Sequence, residues 1–68
     1  MARTKKDFIK DLMLTAQETI WKNEMALDYA EKLAPAGKEK EEKIDACIHA
    51  INKDKEYINY LKTCLLSA

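Results

Sequence analysis

The side chains best suited to chemistry in this 68-residue chain are a single histidine, two cysteines and two polar residues set among apolar ones. His49 follows Cys47 by two positions, and on a helix that spacing turns the two side chains about 200° apart. The pair therefore cannot share a metal ion. Zinc needs three or four convergent ligands, and a nucleophilic thiol needs a base within hydrogen-bond reach. Neither set can be assembled from this sequence, so the expectation is a non-enzymatic protein with no catalytic residue, no metal site and no cofactor. Cys47 reads as a core thiol and His49 as a solvent-facing ring. Cys47 and Cys64 are seventeen residues apart in one expected helix, or roughly 25 Å, which is beyond disulfide reach.

Asn23 and Asp54 interrupt otherwise apolar series, one in each half of the chain. Polar residues at such positions fix register and partner choice in helical assemblies at some cost in stability. A hydrogen bond between them across the two halves is expected. Two further groups point to binding. Leu14, Trp21 and Met25 fall at i, i+7 and i+11 on the outer face of the first helix, and Trp with Met is a combination typical of protein recognition. Arg3, Lys5, Lys6 and Lys10 cluster at the start, with Lys62 brought near them by a chain reversal. That cluster is the candidate contact for nucleic acid or an acidic partner.

These residues are positioned by two long helices. The only Pro and the only Gly fall in Ala34-Pro35-Ala36-Gly37; Pro35 disfavours helix at Ala34, and Gly37 gives the backbone freedom to reverse. The expectation is a single domain over residues 1–68, with helix one over about 5–33, a turn at 34–37 and helix two over about 38–66. Thr4 and Asp7 have capping-box spacing. Glu18/Lys22, Asp28/Lys32 and Glu39/Lys43 place an acid four residues before a base, the favourable orientation for an ion pair on a helix.

Ile44, Ile51, Ile58 and Leu65 recur every seven residues, with Cys47, Asp54 and Leu61 three residues after the first three. Helix one carries the matching series Ile9, Ala16, Asn23, Ala30 and Met13, Ile20, Leu27, Ala34. Folding about Gly37 sets Ile9 opposite Leu65, Ala16 opposite Ile58, Ala30 opposite Ile44 and Ile20 opposite Asp54, so in several layers a small residue meets a large one. The fold class is therefore all-α, an antiparallel two-helix hairpin. One flank of its seam is charged, with Lys10, Gln17, Glu24, Glu31, Glu41, Lys55 and Lys62 and only Ile48 apolar. The other carries Leu12, Ala26, Leu33, Ala50, Tyr57 and Cys64, bordered by Phe8, Tyr29, Ala46 and Tyr60, and with Ala46 set aside these are the expected interface residues. A hairpin cannot hide this second face within itself, and the expectation is a homodimer that pairs these flanks in a four-helix bundle.

Composition limits the remaining choices. Twelve Lys+Arg balance twelve Asp+Glu, which sets nucleic-acid binding behind protein binding. No apolar run approaches the ~18 residues of a membrane span and no signal-peptide pattern opens the chain, so a cytoplasmic protein without membrane contact is expected, in the host cytoplasm if it is phage-encoded. The layout of two long helices about one turn is similar to that of the Rop family, helical hairpins that pair into four-helix bundles and bind paired RNA loops. The similarity is one of architecture and implies, as the alternative function, a dimeric nucleic-acid-binding regulator using the basic N-terminal end. The leading expectation is a small interaction module, a regulator, adaptor or inhibitor of the kind mobile elements encode, that docks a protein partner through its helix faces.

Overall fold

The computed structural model describes residues 2–68. Its helix α1 spans Lys5–Leu33 and its helix α2 spans Lys38–Ser67, and the two pack against each other as a hairpin. Helix α1 begins where the sequence supplies a reciprocal cap. The Asp7 amide donates to Thr4 Oγ1 at 3.2 Å, and the Thr4 amide donates to the Asp7 carboxylate at 3.2 Å. Two backbone donors that the first helical turn leaves unpaired are thereby satisfied. The carboxylate is held below its ordinary ionisation range by the hydrogen bonds from the Thr4 backbone and side chain, with help from Lys10 and Arg3.

Helix α1 ends because Ala34 is extended (φ −73°, ψ 142°), the conformation that a following proline imposes. Gly37 then takes φ +151° and ψ −178°, a region that side-chain-bearing residues rarely enter. Helix α2 has no side-chain cap; its first turn instead carries Glu39 and Glu41 near the positive helix end. Across the reversal the Lys40 ammonium donates to the Glu31 carbonyl at 3.0 Å. That contact satisfies one of the acceptors α1 leaves open at its C-terminus.

The core is the seam between the helices. Ile9, Ala16, Ile20 and Ala30 from α1 meet Cys47, Ile51 and Leu61 from α2, with Ile20 only 2% and Leu61 only 3% exposed. The remaining members of the two heptad series, Met13, Asn23, Leu27, Ala34, Ile44, Asp54, Ile58 and Leu65, are all half-buried. Residues lining the grooves on either side of the seam fix the register: Ile9 and Leu12 lie across from Leu61 and Cys64, and Gln17, Ile20 and Glu24 lie across from Lys55, Ile58 and Lys62. The α2 residues fall as the α1 residues rise, as an antiparallel pair requires.

One expectation is corrected here. Asn23 does not reach Asp54; its Nδ2 donates to the Thr19 carbonyl one turn back at 3.0 Å. The Asn23 side chain is short and lies over the preceding turn of its own helix, which brings a carbonyl of that turn within its reach. Of the three expected ion pairs within helices, Asp28 and Lys32 meet at 2.9 Å. This bond raises the Lys32 ionisation above its ordinary value. Among the described residues the other two pairs do not close to bonding distance.

Candidate functional site

The two flanks of the seam differ in what they present. On one, the groove between the helices is lined by Gln17, Glu24, Lys55, Asn59 and Lys62 around the edges of Ile20 and Ile58. Ile48, 43% exposed, is the apolar member of that flank. Gln17 is half-buried there, its stem lying over the seam.

The opposite flank is apolar. Toward the open end of the hairpin, Phe8 and Leu12 of α1 and Tyr57, Tyr60 and Cys64 of α2 line a shallow groove with Ile9 and Leu61 at its floor. Tyr60 is 62% exposed and Phe8 and Tyr57 are also exposed, whereas Leu12 and Cys64 are half-buried. Hydrogen bonding between Tyr60 and Cys64, one helical turn apart, raises the Tyr60 ionisation above the usual phenol value. The phenol is neutral at ordinary pH, and the charge at this end of the groove comes from Lys5 at its edge. Toward the turn the same flank continues with Ala26, Ala50 and the exposed Ala46, Tyr29 and Leu33. Both cysteines are free thiols, Cys47 buried and Cys64 half-buried. His49 is exposed on a different face of α2 from Cys47.

Leu14, Trp21 and Met25 are all exposed, Trp21 by 54% and Met25 by 75%. They project from the back of α1, away from α2. The structure does not gather them into one cluster. Met25 shares a shallow depression with Tyr29 and Leu33, between Asp28 and Lys32, because these residues stack at intervals of four along one stripe. Trp21 lies a turn earlier. The link between Met25 and the apolar flank is legible in the sequence from the interval Met25-Tyr29-Leu33, but only once flank and back are drawn as adjoining stripes.

Arg3, Lys5, Lys6, Lys10 and Lys62 are exposed at the open end. Arg3 is paired with Asp11, and Asp7 stands among the bases in the cap. Hence the cluster is a mixed surface with a positive excess. No helix is long and apolar enough to cross a membrane among the described residues. No protein-family model, no curated protein and no solved structure matches the chain.

Proposed function

We propose that this chain is a non-enzymatic protein–protein interaction module, a small regulator, adaptor or inhibitor whose hairpins pair through the apolar flank into a four-helix bundle and dock a partner through the back of α1. The observation that carries this reading is where the large apolar residues sit. Phe8, Leu14, Trp21, Met25, Tyr29, Leu33, Tyr57 and Tyr60 are all exposed, whereas the buried core is made chiefly of Ile, Leu, Ala and Cys.

The surface area gives this a magnitude. The chain exposes 5527 Å², whereas a folded monomer of 7.9 kDa is expected to expose about 4,400 Å². The excess of roughly 1,100 Å² exceeds the ~800 Å² that each partner contributes to a standard stable interface. A second copy on the apolar flank supplies a cover of that size. The stripe with Leu14 and Trp21 points away from that flank and stays open in the pair. A partly exposed Trp among flexible neighbours is the residue type that most often anchors a heterologous interface.

The test uses two single variants in a pull-down from the source cell, each also weighed by light scattering. Trp21→Ala is expected to keep the native mass and lose the captured partner. Leu12→Glu is expected to lose the paired mass, because it sets a charge inside the flank. If both variants retain the mass and the partner of the unaltered protein, the reading is wrong.

A further inference from the structure

We infer that two copies of this chain pack their apolar flanks with their turns at opposite ends. This rests on the proposed dimer and goes beyond it by assigning the orientation. Two separate patterns along the hairpin lead to it.

The first is size. Bulk on the flank is unevenly distributed. Near the open end it is set by Phe8, Leu12, Tyr57 and Tyr60, and nearer the turn by Ala26, Ala46 and Ala50, with Tyr29 and Leu33 closing the far end. The register pairs each α2 residue with a height on α1, so these positions can be ordered along one axis. A two-fold axis perpendicular to the helices, crossing the flank near Thr19 and Lys22, brings Tyr57 of each copy over Ala50 of the other and Tyr60 over Ala46. The same operation sets Phe8 against Leu33 and Leu12 against Tyr29. Every large ring then meets a small residue or a flexible aliphatic one. Pairing with both turns at the same end sets α1 of each copy over α2 of the other, so Tyr57 and Tyr60 of both copies crowd the layers near the open end while Ala26, Ala46 and Ala50 of both copies share the layers nearer the turn; both overpacking and voids are unfavourable. Thr19, at the centre of the interface, already donates its hydroxyl to the Thr15 carbonyl at 3.0 Å, so its donor is satisfied when water is excluded.

The second pattern is charge. Zero net charge conceals an asymmetry from end to end. The open end carries five bases, Arg3, Lys5, Lys6, Lys10 and Lys62, against two acids, Asp7 and Asp11. The stretch 28–45 about the turn carries six acids against four bases. Opposed turns set each positive end beside a negative one; aligned turns set like beside like.

The orientation can be read in the unaltered protein. Equal amounts of ¹⁴N- and ¹⁵N-labelled chain are mixed, weighed by light scattering, and treated with a short amine-reactive cross-linker at the same concentration. Lys5 and Lys38 sit at opposite ends of a molecule 51 Å long, too far apart for a short linker within one hairpin. Mixed-isotope links from Lys5 or Lys6 to Lys38 or Lys43, in a sample of dimeric mass, are the expected result. A dimeric mass with mixed-isotope links confined to Lys5–Lys6 and Lys38–Lys43 overturns the orientation and leaves the dimer standing. A monomeric mass with no mixed-isotope link overturns the dimer itself. As an independent check, Ala50→Tyr is expected to weaken association and Tyr57→Ala added in the same chain to recover part of it. No recovery counts against the Tyr57–Ala50 contact.

Discussion

Replacing Asp54 by leucine should stabilise this protein. Asp54 occupies a seam position between Ile51, Ile58 and Leu61 and is half-buried. Its carboxylate makes no hydrogen bond or ion pair with another described residue. A charge so placed loses part of its hydration and gains nothing in return within the hairpin. Fully burying a leucine side chain contributes about 1.5–3 kcal/mol, and a half-buried site delivers about half of that. Leucine is also the better helix former, by a few tenths of a kcal/mol. The sum is a gain of about 1–2 kcal/mol, and each kcal/mol raises the melting temperature of a domain this size by roughly 4–8 °C. Circular dichroism melts of Asp54→Leu and the unaltered protein, run at one matched concentration, measure it. A fall of similar size would refute the reasoning, because it means that the carboxylate has a donor in the folded assembly that the single hairpin does not supply. Unchanged stability with a broadened mixture of oligomers would instead assign Asp54 a role in specificity alone.

Three further outcomes follow from particular residues. Leu61→Ala, at a site 3% exposed, should cost about 2–5 kcal/mol and leave most of the chain unfolded, as read by helical signal at 25 °C. Gly37→Ala should lower stability by about 1–3 kcal/mol through backbone strain alone, since an added Cβ meets nothing within 4 Å; an unchanged melt contradicts the positive φ. Asp7 is held below its ordinary carboxylate value, so its contribution is present above the unfolded-state value of 3.8 and is lost as pH falls through the lower folded value. Acid titration should therefore fray the N-terminal turn of α1, and Thr4→Ala should reduce that pH dependence in amide exchange of residues 5–8.

Much of the fold was legible because the sequence repeats one signal. The seven-residue series from Ile44 to Leu65 has only one helical phase that buries it, and Pro35 with Gly37 leaves a single place for the reversal. Every residue of the two series is buried or half-buried, although Asp54 and Asn23 are polar, because backbone phase and not residue type decides where a helical position points. What was not legible is what each side chain does once placed. Asn23 turns to the Thr19 carbonyl and Lys40 to the Glu31 carbonyl; both choices depend on distances of a few ångströms between backbone groups, which spacing along a helix does not specify. Likewise the grouping of Met25 with Tyr29 and Leu33 follows from where two stripes adjoin. The candidate surfaces were legible as stripes, but their asymmetry of bulk between the two ends emerged only when α2 positions were assigned heights along α1.

The central claim is that the apolar flank is covered by a second copy. Light scattering across a concentration series, paired with melts at the same concentrations, tests it most directly. A flank covered by a second copy gives a mass near twice 7.9 kDa that falls on dilution, with a melting temperature that rises with concentration. A mass of 7.9 kDa at every concentration, with a melting temperature independent of concentration, would contradict it.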